Sequence, residues 1–216
     1  MNTLILDCSA GMSVYVCKDN AVFSHTDLNV KKHTDELLVT LDKLLIQAGV
    51  AVKDLHNICL AIGPGSFTGI RVAISIAKGL AVENNVKMFV VSNFDLYKKS
   101  EEKKSILVLE GFSNFVYARE ICDDKIKDEC ISVDDLFVKI KANNANFDIM
   151  VQNEKLQNIF KNAEINANIA KNNTINCFFY KIKNNECIEL NQISPIYLRA
   201  SQAEIERQNR LAGESK

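Results

Sequence analysis

Apolar and polar positions follow two different periodicities along the first hundred residues. Short β-rich runs predict strands at residues 3–8, 12–17, 21–25, 58–62 and 88–91. Apolar positions spaced every three or four residues predict helices at about residues 35–48 and 70–82. The resulting order is β-β-β-α-β-α-β, which predicts an α/β fold with a mixed sheet covered by helices.

Glycine and proline become rare in the second half of the chain. After Gly79 the only residues of these two types are Gly111, Pro195 and Gly213. Element boundaries are therefore weakly marked there. The change in pattern predicts three parts, which are an N-terminal subdomain (1–100), a C-terminal subdomain (101–200) and a polar tail (201–216).

Hydrophobic periodicity still predicts elements in this second half. Strands are expected at residues 105–109 and 115–122, and helices at 133–140 and 175–182. The asparagine-rich stretch 143–176 contains apolar residues at regular intervals, so we expect it to be folded rather than to form a disordered linker.

The charge balance excludes a strongly basic nucleic-acid or membrane surface. Charged residues make up 25% of the chain and the formal net charge is −1, so no positive field would hold RNA or an anionic membrane unaided. The seven cysteines include no Cys-x-x-Cys pair and are expected to be reduced. The chain starts with neither a basic flank nor a long apolar run. We expect a soluble, cytoplasmic protein with no membrane contact.

A glycine-rich segment follows the fourth predicted strand, with the sequence Gly-Pro-Gly-Ser-Phe-Thr-Gly-Ile-Arg at residues 63–71. A P-loop would need lysine and a hydroxyl residue directly after its last glycine, but Ile70 and Arg71 stand there. A nucleophile elbow would need glycine two residues before and after the serine, and Ser66 has neither. The glycine spacing is nearer to a dinucleotide fingerprint, yet no acidic residue ends the next strand.

We therefore predict that this segment is a structural turn. Gly63 and Gly65 would permit the turn, and Ser66 or Thr68 would cap the helix that follows. The predicted structural loop consists of Gly63, Pro64, Gly65, Ser66, Thr68, Gly69 and Arg71. No cofactor is predicted to bind this chain, because none of these loop motifs is complete. No metal is predicted either, because no two of its three histidines have the spacing that places two ligands on one helix face.

The helix predicted at residues 70–82 has more apolar surface than one contact can bury. Its apolar residues spread over roughly 200° around the helix axis. One side would cover the sheet, and small residues elsewhere would let another helix approach closely. That second helix could be the one at 35–48 or could belong to another chain, and the spacing favours neither. Val39 and Ile46 lie one heptad apart on the polar side of the first helix, where a partner could bury them.

Four segments of the chain occur in the order typical of one known family. They are residues 63–71 with Ala-Lys-Gly-Leu-Ala at 77–81, His-Thr-Asp-Glu-Leu-Leu at 33–38, Leu-Asp at 6–7 and Pro-Ile-Tyr-Leu-Arg at 195–199. Together they resemble the bacterial TsaB (YeaZ) family, whose members accompany the TsaD subunit in the biosynthesis of N6-threonylcarbamoyladenosine in tRNA. The resemblance implies the actin-like ATPase, sugar kinase and Hsp70 (ASKHA) fold, with two related subdomains.

The resemblance also implies a function without catalysis. The chain would be a scaffold that binds a TsaD-type catalytic subunit and, with it, a TsaE-type ATPase. Those partners would hold the ATP and the metal, and tRNA would bind only through the complex. Without a partner the same surface could form a homodimer. The predicted interface residues are Val39, Ile46, Ile70, Ala73, Ile74, Ala77 and Leu80.

The sequence departs from the family pattern at three places. Cys8 and Ile70 replace threonine and leucine conservatively, while Glu-Gly-Phe at 110–112 replaces an Asp-Ala-Arg-like segment. Asp7 corresponds to the acidic residue of the superfamily's first strand, although capping of the turn at 9–11 would explain it equally well. Gly111 alone would not supply the second phosphate loop of the superfamily.

Two other classes of function remain as alternatives. One is an independent enzyme of the same superfamily, a glycopeptidase-like hydrolase or a small kinase, which peptide cleavage or ATP turnover by the isolated chain would support. The other is a direct RNA-binding module that uses the lysine pairs at 31–32, 98–99 and 103–104. Salt-dependent tRNA binding without any partner would support it.

Overall fold

The computed structural model describes residues 1–29, 33–98, 100–123, 125–142 and 147–199, so the predicted polar tail lies outside the described residues. The strands are β1 (Asn2–Asp7), β2 (Met12–Lys18), β3 (Ala21–Asp27), β4 (Asn57–Ala61), β5 (Lys87–Val91), β6 (Lys104–Glu110), β7 (Phe115–Cys122), β8 (Lys125–Ser132), β9 (Asp148–Val151) and β10 (Asn168–Ile169). The α-helices are α1 (His33–Ala48), α2 (Phe67–Asn84), α3 (Val133–Ala142), α4 (Glu154–Asn162) and α5 (Thr174–Lys183).

Two five-stranded sheets share one topology. The strand order is β3-β2-β1-β4-β5 in the first sheet and β8-β7-β6-β9-β10 in the second. In each sheet the first three strands form an antiparallel meander, and the last two run parallel to the first of the three. Each half therefore has the order β-β-β-α-β-α-β. This repeat confirms the expected α/β fold with two related subdomains, each a mixed sheet covered by helices.

Helices from different parts of the chain cover the two faces of the first sheet. On one face, α1 and α2 bury the apolar residues of β1, β2 and β4 in the largest core cluster. On the other face, α5 packs through Phe178, which is fully buried beside Cys59 and Phe89. Because α5 follows the second sheet in sequence, the chain returns to the first subdomain after β10 and completes its core there.

The second sheet also has apolar residues on both faces. Helices α3 and α4 cover one face through Leu136, Leu156 and Phe160. Arg119 on β7 connects the sheet to the segment after β5, because its guanidinium lies 2.7 Å from a carboxylate oxygen of Asp95. The same guanidinium lies 2.7 Å from Asp128 on the neighbouring strand β8. This half-buried arginine therefore links the two subdomains.

The predicted elements of both halves are confirmed, with shifted ends. Helix α2 begins three residues before its predicted start, because Ser66 rather than a later residue caps it. The asparagine-rich stretch is folded wherever the structure describes it, at 147–176. The sequence analysis missed β8, β9, β10 and α4. Strands β9 and β10 are short, with four and two residues. Strand β8 lies at the edge of its sheet, and four of its eight residues are charged.

Two further expectations concern the cysteines and the absence of membrane-spanning helices. The seven cysteines all lie within the described residues, and none of them forms a disulfide bond there. Within the described ranges, none of the helices is both long enough and apolar enough to span a bilayer.

Candidate functional site

The glycine loop connects β4 to α2 and needs two of its glycines for close approach. Gly63 has a φ of +110°, and a Cβ there would lie 2.7 Å from the carbonyl oxygen of Ile196. A Cβ on Gly65 would lie 2.6 Å from the Ser9 carbonyl oxygen. Side chains at either position would therefore collide with backbone. The loop is packed between the β1–β2 turn and the C-terminal segment.

A buried polar network holds the loop in place. The Asn93 side chain accepts a hydrogen bond from the Gly63 N–H at 2.7 Å and donates to Ser9 Oγ and Asp7 Oδ1. Ser9 in turn donates to Asp7 Oδ1 from its backbone N–H at 3.0 Å and from its hydroxyl at 2.6 Å. The Asp7 carboxylate is thus engaged in fixing the turn. Sequence reasoning missed Asn93, because an asparagine at a strand end gives no distinctive signal.

The start of α2 is capped by Ser66, whose Oγ accepts a hydrogen bond from the Gly69 N–H at 3.2 Å. Of the other loop residues predicted to shape this turn, Pro64 is buried, while Thr68 and Arg71 are exposed. The Gly63–Pro64 peptide bond is cis. The loop thus sets the direction in which α2 leaves the sheet.

The C-terminal motif of the sequence packs directly on the central motif. The Ile196 N–H donates to the Ile62 carbonyl oxygen at 2.7 Å. The Tyr197 ring stacks on Phe67 with a centroid separation of 4.2 Å, and the Tyr197 hydroxyl accepts a hydrogen bond from Arg71 Nε at 2.6 Å. Two motifs more than a hundred residues apart therefore form one structural unit.

A cleft of about 770 Å³ separates the two subdomains beside this unit. The β1–β2 turn, the glycine loop and the first turn of α2 line one wall. The opposite wall includes the divergent segment at 110–112, Tyr117 and Asn153, and Arg199 lines the cleft as well. The Glu110 carboxylate accepts hydrogen bonds from Lys155 and Asn153.

Two tyrosine hydroxyls and one cysteine thiol in or near this cleft stay protonated at neutral pH. Burial raises the pKa of the Tyr97 hydroxyl to about 12. Burial also raises the pKa of Tyr117, although the Arg199 charge opposes the shift. Burial and the neighbouring Asp7 raise the pKa of the Cys8 thiol to about 12. None of the three groups is therefore poised as a general base or a thiolate nucleophile.

The metal-ligating types of side chain are spread out over the described part of the chain. Among the residues that the structure describes, no three histidine, cysteine, aspartate or glutamate side chains are grouped to hold a metal ion. The His56 Nδ1 accepts a hydrogen bond from the Asn2 N–H at 3.1 Å, which gives this histidine a structural role.

The predicted interface residues divide into buried and exposed sets. Ile70, Ala73, Ile74 and Ala77 on α2 are at most 7% exposed and belong to the core of the first subdomain. The prediction that these four side chains are available to a partner is therefore wrong, because α1 of the same chain and the sheet already cover them. Leu80 is partly buried against the same core.

The exposed set lies on the outer face of α1 and α2. Val39 and Ile46 are 52% and 70% exposed on α1, and their contact with a partner stays a prediction. Leu38 on α1 and Val82 on α2 are also exposed, Val82 at 72%. We call these four residues and Gly79 the outer apolar face.

Gly79 is the least expected member of the outer apolar face. It lies within the 18-residue helix α2, is exposed, and a Cβ placed on it would meet no atom within 4 Å. Glycine within a helix costs about 1 kcal/mol relative to alanine. Nothing within the described part of the chain requires a glycine here. An isolated glycine in a helical pattern was the available sequence signal.

A family model and curated proteins match this sequence. The model described as "TsaD: tRNA N6-adenosine threonylcarbamoyltransferase" matches residues 25–190. The tRNA threonylcarbamoyladenosine biosynthesis protein TsaB of Buchnera aphidicola subsp. Schizaphis graminum is 34% identical over 100 residues, 44% of this chain and 48% of that protein. The Escherichia coli K12 protein of the same name is 34% identical over 93 residues, 43% and 40% of the two chains. The chain spans about half the length of these relatives or less.

Two solved structures from Pseudomonas aeruginosa share the fold. One is described as a protein with similarity to peptidase YEAZ and superimposes with a TM-score of 0.67 at 21% identity, over 92% of this chain and 99% of that one. The other, described as YeaZ, has a TM-score of 0.65 at 19% identity, over 91% and 99%.

Proposed function

The chain belongs to the TsaB (YeaZ) family within the wider TsaD family, and we propose from this premise that it acts in forming N6-threonylcarbamoyladenosine in tRNA. Its role is that of a non-catalytic scaffold for a TsaD-type catalytic subunit. The threonylcarbamoyl transfer, the ATP and the metal belong to the partner subunits. A TsaE-type ATPase joins the same complex, and tRNA reaches this chain only through it.

The observation that carries this proposal is the outer apolar face. Four large apolar side chains are exposed on two adjacent helices, and Gly79 among them leaves open space above α2. Contacts between α1 and α2 place the two helices side by side. A partner helix laid across the pair would bury the valines and the isoleucine and could approach the α2 backbone closely at the glycine.

The polar groups near the cleft favour a scaffold over an independent enzyme. The Asp7 carboxylate is engaged by Ser9 and Asn93, and the Glu110 carboxylate by Lys155 and Asn153. These acids hold turns in position, and neither is presented unpartnered to a substrate. The formal net charge of −1 likewise favours contact with tRNA through a partner rather than directly.

The proposal also predicts self-association of the isolated chain. An exposed apolar face that lacks its partner can pair with the same face of a second copy about a two-fold axis. We therefore expect the isolated chain to form a homodimer at high concentration. The TsaD-type subunit should compete with this dimer, because both use the outer apolar face.

The test is complex formation with the TsaD-type protein of the same organism, followed by light scattering on a sizing column. Gly79→Leu fills the open space above α2 and should abolish the complex while the chain remains folded. Asn158→Leu is the matched control, because it places the same side chain at an exposed position in the middle of α4. Unimpaired binding by Gly79→Leu would reject the proposed interface. ATP turnover or peptide cleavage by the isolated chain would reject the non-catalytic role.

A further inference from the structure

Two arginines of the cleft contact aromatic rings and have no carboxylate partner in the part of the chain that the structure describes. The Arg71 guanidinium lies 5.3 Å from the ring centroids of both Phe67 and Tyr197. The Arg199 guanidinium lies 5.2 Å from the Phe112 ring centroid. Among the described residues, neither arginine forms an ion pair with a carboxylate. The hydrogen bond from Arg71 Nε to the Tyr197 hydroxyl holds the Arg71 guanidinium beside the stacked Phe67 and Tyr197 rings, and the Phe112 ring positions that of Arg199. Both guanidinium groups keep further N–H groups available for an acceptor.

The positive charge of the cleft is not balanced by its walls. Glu110 is the one carboxylate among the described lining residues, and it is already paired with Lys155, which lies outside the lining. The cleft therefore carries two guanidinium charges that face a space large enough for a ligand. Like charges that share a cleft favour an anion between or beside them.

Backbone N–H groups at the start of α2 add to the preference of the cleft for an anion. Phe67 and Thr68 line the cleft at the first turn of α2. The first N–H groups of a helix lack intrahelical acceptors, and the helix dipole places partial positive charge there. The exposed Thr68 hydroxyl is a further donor at the same point.

The rest of the cleft is apolar and partly aromatic. Phe112 is 65% exposed and Leu28 is 73% exposed, and both line the cleft together with Phe67. Large apolar side chains so exposed at the edge of a cavity favour contact with a ligand's apolar part. The volume of about 770 Å³ falls within the range of about 300–1,000 Å³ that holds small-molecule ligands.

We propose that this cleft binds a small molecule that carries an oxyanion, a phosphate monoester or a carboxylate, on a flat apolar group. Arg71 and Arg199 hold the oxyanion, and Phe67 and Phe112 contact the flat group. Binding needs no divalent metal ion, because Asp7 and Glu110 are already engaged in hydrogen bonds and ion pairs. This site is separate from the outer apolar face, so it goes beyond the scaffold function.

The test is titration of the isolated chain with phenyl phosphate and with benzoate, followed by calorimetry and by backbone amide NMR shifts. We expect saturable binding of at least one of the two, weaker binding of inorganic phosphate and no binding of phenol. The preferred probe identifies the oxyanion as phosphate or carboxylate. Shifts should centre on Thr68 and Phe112, and adding Mg²⁺ should leave the affinity unchanged.

Substitutions distinguish binding of the probe in this cleft from attraction of the probe to surface charge in general. Arg71→Gln and Arg199→Gln should each weaken binding by about tenfold, the loss typical of one charge-assisted hydrogen-bonding group. Lys161→Gln, which removes an exposed charge from the end of α4, is the control and should bind like the parent. Circular dichroism checks that each variant is folded. Arg199→Gln is the decisive variant, because Arg71 also contacts Tyr197 within the fold.

Two results would overturn the proposal. One is the absence of saturable binding of both probes at millimolar concentration. The other is binding that both arginine variants leave unchanged, which would assign the probe to another surface. Because the titration uses the isolated chain, either result leaves the proposed partner interface untouched.

Discussion

The helix pairs of the two subdomains have the same topology but different outer surfaces. In the first subdomain, α1 and α2 expose Leu38, Val39, Ile46 and Val82. In the second, the exposed residues of α4 are all polar, and Val138 is the one large apolar side chain that α3 exposes. The shared topology buries equivalent inner faces. The difference shows that the fold does not constrain the residue types at the outward positions, so a binding function can be placed there without disturbing the core.

The inner and outer faces of α2 should differ strongly in how much an added charge destabilises the chain. Ala73→Glu places a carboxylate at a fully buried position, and an unpaired buried charge costs about 3 kcal/mol or more. Ser75→Glu, two residues away on the exposed side, should change the free energy of unfolding by less than about 0.5 kcal/mol. Urea denaturation measures both. Equal effects of the two substitutions would contradict the assignment of faces.

The second helix pair should depend on pH through an ion-pair cluster that the first pair lacks within the described residues. Lys139 lies 2.5 Å from Glu120 and 2.6 Å from Glu129. Burial opposes ionisation of Glu129, but hydrogen bonds from Lys127 and Lys139 outweigh it and lower its pKa below the usual 4.5. Its contribution to stability is therefore complete above pH 4.5 and is lost as the pH falls through the lower, folded-state pKa.

Lys139→Met tests this cluster. The variant should be about 1 kcal/mol less stable at neutral pH, because the pairs are partly exposed to solvent. It should also lose less stability than the parent between pH 5 and pH 3. Urea denaturation at several pH values gives both quantities. Parallel pH profiles for the two proteins would show that Lys139 does not set the pKa of Glu129.

The smallest expected effect concerns Gly79. Gly79→Ala should raise the free energy of unfolding by about 0.5–1 kcal/mol, because alanine is the better helix former and its Cβ meets open space. Thermal unfolding of the isolated chain measures the change. A loss of stability would mean that the glycine serves the fold of the chain itself, which would remove one reason for a partner at this helix.

Sequence patterns predicted the first sheet better than they predicted the second sheet or the exposed helix faces. The alternation of apolar runs gave the β-β-β-α-β-α-β order, because strand and helix periodicities depend only on local spacing. The apolar arc of α2 could not reveal that α1 covers Ala73 and Ala77, since tertiary packing decides between two apolar faces. Val39 and Ile46 were correctly predicted to be exposed, because they lie on the side of α1 whose other residues are polar.

The polar organisation of the site was harder to predict for the same reason. Ser66 as a helix cap follows from local chemistry, and Gly63 and Gly65 from their position in a turn. Asn93 and Tyr197 reach the glycine loop from distant parts of the chain. Contacts of that kind have no local sequence signal, so the packing of Arg71 beside the stacked rings of Phe67 and Tyr197 emerged only in three dimensions.

The most direct test of the central claim compares two valines in binding to the TsaD-type partner. Val82→Glu and Val138→Glu place the same charge at positions that are 72% and 68% exposed, on α2 and α3 respectively. Both variants should fold like the parent, and the measurement is the dissociation constant of each for the partner. We predict that Val82→Glu abolishes measurable binding and that Val138→Glu leaves it unchanged. Parental affinity in Val82→Glu, or an equal loss in both variants, would contradict the claim that the outer apolar face is the docking surface.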